Sequence, residues 1–209
     1  MIAVSKFLST LMPQVIGCPR PTASRAVVDS AIDFCSRSLV LTYALQPLPT
    51  RVGDNTYWLE LPEQTALVQV LRAWYDDTVL RPVTLDSVYV SEAPAGTPHS
   101  YYGEHLDIDE EYSLRLYPTP DAVGSLLVRA ALKPIRNATL LNNQLYNDWY
   151  EAIVDGALAR LCSLPGENFT NPEVAMSARI RARTAANDAR RDALHAKVQS
   201  PVSVTMRAF

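Results

Sequence analysis

Residues 142–176, NNQLYNDWYEAIVDGALARLCSLPGENFTNPEVAM, constrain this chain more than any other stretch. Leu145, Trp149, Ala152, Ile153, Gly156, Ala157, Arg160 and Leu161 recur at the 3.6-residue period of one helical face. The loop around Pro165, Gly166 and Asn168 separates this predicted helix from a second. The second has a strong start signal: Asn171 as N-cap, Pro172 at the first helical position and Glu173 behind it. An Asn oxygen accepts an otherwise orphan amide there, and proline has no amide to lose. Trp149 and Gly156 fall on one face of the first helix. Glycine in a helix costs about 1 kcal/mol relative to alanine, so Gly156 marks a place where a neighbouring segment comes close.

The chain has 209 residues, 48% of them hydrophobic, enough for one packed domain or one domain with an inserted subdomain. Fifteen prolines against seven glycines suit a stiff part with many turns. A net charge of −3 argues against a nucleic-acid binder driven by bulk charge. No apolar run reaches the roughly 20 residues of a membrane span, so no membrane partner is expected. Val15-Ile16-Gly17-Cys18 has the look of a lipoprotein cleavage box, but Ser5, Lys6, Ser9, Thr10, Pro13 and Gln14 interrupt the apolar core such a leader needs. Cys18, Cys35 and Cys162 are odd in number and widely spaced, which reads as buried free thiols rather than a zinc or redox motif.

Along the chain, residues 2–12 read as a short amphipathic helix, and a long helix capped by Thr22 runs to about Tyr43. Residues 44–54, with Pro47, Pro49 and Gly53, form a linker. The middle reads as β: strands at 56–61, at 66–74 with imperfect alternation, at 112–117 and at 126–132. Pro118-Thr-Pro-Asp121 is expected to join the last two as a hairpin. Residues 91–111 read as a long polar loop, acidic at its end. The last helix extends to about Lys197, with six basic and two acidic residues from Arg179 onward. The final residues alternate, with Val202, Val204, Met206 and Ala208 against Ser203, Thr205, Arg207 and Phe209, a strand pattern with no adjacent partner in sequence. Such a segment is expected to pair with its own sheet or with another chain.

No catalytic pattern emerges: there is no Gly-rich phosphate loop, no HExxH and no GxSxG. His105 with Asp107, Asp109 and Glu110 matches no metal-loop spacing and reads as a solvated acidic stretch. Asp76-Asp77 reads as a turn rather than an acid–base pair. No catalytic residue, metal site or cofactor is expected. Arg179, Arg181, Arg183, Arg190, Arg191 and Lys197 make a basic helix, with 179, 183 and 190 on one side, read as facing a neighbouring subunit, DNA or solvent; Asp188 and Asp192 among them equally allow salt bridges within the helix.

The segment opened on above resembles the head-to-tail adaptor (connector) proteins of tailed bacteriophages. The residues that carry the resemblance are Trp149, Glu151, Ala152, Gly156, Ala157, Leu158, Leu161, Pro165, Asn171, Pro172 and Ala175, with Phe169 where tryptophan is expected. More loosely, it takes in the alanine- and aromatic-rich helix from Ala23 and the LRLYPTP strand at 114–120. The combined expectation is an α+β chain. Residues 1–50 and 134–198 form a helical bundle, 51–133 an inserted antiparallel β subdomain, and 199–209 an extended C-terminal tail. The resemblance implies a structural virion protein at the head–tail junction, assembled in the host bacterial cytoplasm. It implies a homo-oligomeric ring, usually of twelve copies, docked beneath the portal protein. That ring joins the portal to a tail or nozzle protein and passes DNA without sequence-specific binding. Val202, Val204, Met206 and Phe209 of the tail would grip the portal, with Trp149 and Gly156 as helix-packing residues. The alternatives are a nucleic-acid-binding accessory protein using the last helix, and a ligand-binding or enzyme domain.

Overall fold

The computed structural model describes residues 1–84, 95–106 and 111–196. In chain order they form β1 (Ile2–Ala3), α1 (Leu8–Leu11), α2 (Arg20–Ser38), β2 (Thr42–Ala44), β3 (Leu48–Pro49), β4 (Thr56–Trp58), β5 (Thr65–Tyr75) and β6 (Thr78–Pro82). There follow β7 (Ser100–Leu106), β8 (Glu111–Tyr117), β9 (Ser125–Pro134), β10 (Leu140–Leu141), α3 (Asn143–Asn147), α4 (Tyr150–Leu161) and α5 (Pro172–Ala196). They divide into two compact units. One joins Met1–Val40 to the chain from Thr139 onward, and the other is Leu41–Ala138. The fold class is α+β, with helices from both chain ends and a central sheet.

In the first unit, α2, α4 and α5 pack on one another. The buried residues of α2 include Ala23, Val27, Ser30, Ala31, Phe34 and Ser38, spaced by three and four as one face requires. Seven of the twelve residues of α4 are buried, consistent with a helix covered on more than one side. Removing that much apolar surface from water dominates the unit's stability, at roughly 25 cal/mol per Å2.

Three helix expectations change here. The single helix expected at 2–12 is broken. Ile2 and Ala3 pair with Leu141 and Leu140, and 3-10 turns at 4–6 and 12–14 flank the four-residue α1. The apolar positions still serve: Phe7 and Leu11 are fully buried, and the Phe7 ring lies 5.3 Å from Tyr146 and 5.2 Å from Tyr150. The long helix α2 begins at Arg20 with Pro19 as its cap, not at Thr22, and ends at Ser38. Leu39 adopts a left-handed conformation (φ 55°) that stops the helix, and the residues expected to extend it to Tyr43 instead pair with β9. Finally, the helix expected from about 142 is two. Asn142 caps α3 by accepting from the Gln144 amide at 2.9 Å, and Trp149, with φ −129°, separates α3 from α4.

The second unit is a sheet of strand order β2-β9-β5-β6-β7-β8-β4, with β3 also on β9. Every pairing is antiparallel except β6 with β7, which run parallel for two residue pairs. Strand β5 carries two bulges, where Val68 and Leu71 have no opposite residue on β9. Each bulge reverses which side chain faces inward, which is why the alternation over 66–74 is imperfect in the sequence. Leu114, Leu116, Leu126, Val128 and Ala73 form the core, each at most 1% exposed.

Three expectations fail in this unit. Residues 44–54 are not all linker and residues 41–50 are not part of the helical bundle, because β2 and β3 pair with β9 and belong to the sheet unit. Tyr117 to Ser125 is no hairpin, since β8 pairs with β7 and β4 while β9 pairs with β5 and β2. The connection, which includes the cis peptide Tyr117–Pro118, carries the chain from one side of the strand order to the other. The polar stretch 91–111 is not all loop, because residues 100–106 form β7, paired in register from Ser100↔Tyr117 to Leu106↔Glu111. Among the described residues β6 covers β7 only at Ser100 and Tyr101, so most of β7 has one described strand neighbour, β8. Residues 107–110 and the tail from 199 to 209 lie outside the described residues.

Candidate functional site

The signature segment acts by bringing two helices together. Ser30 of α2 donates a hydrogen bond from Oγ to the Ile153 carbonyl of α4 at 2.7 Å, one turn before Gly156. A Cβ at position 156 would overlap Ser30 Oγ and lie 3.2 Å from Ser30 Cβ. Gly156 therefore sits where α2 crosses against α4, and the atoms that come close are those of the Ser30 side chain rather than backbone. Trp149 packs its ring 5.4 Å from Phe34 of α2. The start of α5 is as read: Asn171 Oδ1 accepts from the Val174 amide at 3.1 Å, and the Asn171 carbonyl accepts from Ala175 at 2.9 Å. The preceding loop is tied by the Asn171 amide donating to the Cys162 carbonyl at 3.0 Å and by Thr170 donating to the Leu164 carbonyl.

The basic helix resolves into individual contacts. Arg179 donates to Ser163 Oγ at 3.2 Å, Arg190 to the Arg37 carbonyl at 3.3 Å, and Arg191 pairs with Asp188 three residues earlier. Arg183 makes no ion pair with a described residue. The best-formed pair on α5 belongs to Arg181, one of the six basic residues read on this helix. Arg181 holds Asp155 of α4 through two hydrogen bonds, at 2.9 and 2.6 Å, and these raise the guanidinium pKa further. Its signal was hidden because the partner lies 26 residues away on another helix. Arg37 of α2 and Arg160 of α4 stand beside Arg179 and Arg183. Arg37 donates to Asp33 at 2.8 Å and Arg160 to the Asp29 carbonyl at 3.3 Å.

The remaining candidates fall into place as turns or core. Asp76 and Asp77 make the two-residue turn of the β5–β6 hairpin, and Asp76 accepts the Ser125 amide at 2.8 Å. The carboxylates of the expected acidic stretch, Asp107, Asp109 and Glu110, lie outside the described residues. So do the tail residues Val202, Val204, Met206 and Phe209. Cys18, Cys35 and Cys162 are free and buried, and burial pushes Cys35 up to about 12. Among the described residues, no group of three or more His, Cys, Asp or Glu is placed to hold a metal ion. None of their helices is long and apolar enough to cross a membrane.

No curated protein matches the chain. A family profile does: that of the SU10 adaptor protein, over residues 8–207. The match runs through the helices of both chain ends and the sheet between them, and so covers the α2–α4–α5 packing described here. The chain thus belongs to the SU10 adaptor protein family and is a structural, non-enzymatic head-to-tail connector of the phage virion, a ring-forming component of the junction between portal and tail.

Proposed function

We propose that twelve copies of this chain form a closed ring beneath the portal, extending a channel through which DNA passes without sequence-specific contacts. Family membership over residues 8–207 carries the reading. A ring requires two different surfaces on each copy, meeting head to tail. In this reading the helical unit, Met1–Val40 with the chain from Thr139 onward, supplies them, and the sheet unit Leu41–Ala138 is inserted in sequence between its two segments. On α5, Arg179, Arg183, Arg190 and Arg191 line the surface toward a neighbouring copy. Three of the four already bond within the chain, which favours an ordered protein contact over a free basic stripe for DNA.

The tail, residues 199–209, is the portal grip. Val202, Val204 and Met206 alternate with polar residues, as a strand added to a partner's sheet edge requires, and Phe209 supplies an aromatic anchor. The test is the mass of the purified chain, alone and mixed with portal rings, beside a version ending at Gln199. The full chain is expected to join the portal as a twelve-copy ring and the shortened one to stay free. If both ignore every portal offered, the ring assignment for this chain fails. If the shortened version docks as well as the full chain, the tail is not the grip.

A further inference from the structure

Between α2, α4 and α5 lies a cleft of about 220 Å3. Arg37, Arg160, Arg179 and Arg183 line it, from three different helices, with Asp33 as the one carboxylate and Gly156 in its wall. Asp33 is already held by Arg37 at 2.8 Å. Four guanidiniums against one carboxylate leave an excess of three positive charges on the lining. Like charges gathered in a concave surface repel one another, and an anion entering the cleft relieves that repulsion.

We propose that this cleft is a subunit-contact site that takes acidic side chains from the adjacent copy of the chain. The inference rests on the ring reading above. Two observations favour a protein carboxylate over a DNA phosphate. First, exposed apolar residues stand beside the arginines. At 100° per residue, Met176 and Ile180 follow Arg179 and Arg183 around α5, and they are 67% and 60% exposed. An apolar rim beside a charged pocket suits a protein interface, in which methionine and arginine are enriched. Second, the chain carries an acidic run of its own, Asp107-Ile-Asp-Glu-Glu111, and its net charge is −3. A second copy therefore offers the carboxylates the cleft lacks. Guanidinium forks pair with carboxylates through two parallel hydrogen bonds, which fixes orientation as well as affinity. A ring, whose closure depends on the angle between neighbours, needs that orientation.

The experiment compares the full chain with Arg183→Glu and with the double variant Arg179→Glu/Arg183→Glu. It reads ring mass on portal rings at low and high salt, and binding of a labelled 30-base-pair duplex by anisotropy. Circular dichroism and the urea midpoint confirm folding. Arg183→Glu alone breaks no described ion pair, so it stays informative if the double variant does not fold. The inference expects wild-type rings that weaken with salt, and variants that fold yet assemble at least about tenfold less well. Variants that assemble like the wild type overturn it and leave the ring reading standing. Variants that assemble normally but lose duplex binding assign the cleft to nucleic acid and also overturn it. A wild-type chain that never assembles removes both readings together.

Discussion

Gly156 is where a single atom decides whether α2 and α4 can meet. Gly156→Ala improves intrinsic helix propensity by about 1 kcal/mol, yet its Cβ would overlap Ser30 Oγ. Overpacking in a close-packed interior costs about 1–3 kcal/mol, so the expected net effect is destabilisation, read as a lower urea midpoint. Adding Ser30→Ala removes the overlapping atom, while the contact at 3.2 Å to the position-30 Cβ remains tight. The double variant should therefore recover part of the loss, and simple additivity of the two changes would overturn this account. Cys35 makes a second residue-scale expectation. Burial raises its thiol pKa to about 12, whereas the unfolded thiol titrates near 8.5. The folded state therefore holds its proton while the unfolded state loses it. The stability tied to this thiol is fully present below pH 8 and is lost as pH rises toward 12, at up to about 1.4 kcal/mol per pH unit. Urea midpoints at pH 8 and pH 10 should fall further apart for the wild type than for Cys35→Ala.

Among elements, α5 is started by its N-cap, Asn171. Asn171 accepts the Val174 amide, and its own amide closes the loop onto Cys162. Asn171→Ala keeps the second contact and loses the first, with an expected cost of about 0.5–2 kcal/mol. Asn171→Asp keeps an acceptor and adds negative charge at a helix N-terminus, so it should equal or exceed the wild type. An alanine variant with an unchanged midpoint would show that the cap contributes nothing. The Asn-Pro-Glu start was legible in sequence because capping is local, its partners lying within three residues. The breaks in the other helices were less legible. The stop at Leu39 and the separation of α3 from α4 at Trp149 depend on what the chain does next in space. After Leu39 the backbone is drawn away to pair with β9, and at Trp149 the ring packs on Phe34. In the sheet, the bulges of β5 blur its period, and polar β7 offers little apolar repeat to read.

At the scale of the molecule, a unit built from both chain ends encloses a contiguous sheet unit in sequence, and the family match spans both. A tail that only grips a partner should add little to the stability of the units described. The chain ending at Gln199 is therefore expected to keep the wild-type circular dichroism and urea midpoint while losing portal docking. A large drop in midpoint would mean that the tail belongs to the fold. What the sequence determined by itself was whatever rests on nearest neighbours and on period. This includes the amphipathic faces, the Asn171 cap, the Asp76-Asp77 turn and the signature of the connector family. The tertiary structure alone decided the strand order, the crossover after Tyr117, the Arg181–Asp155 pair and the gathering of four arginines around one cleft. Those partners are separated by tens of residues, and nothing in the spacing of a chain specifies which of its distant segments will bury their apolar faces together.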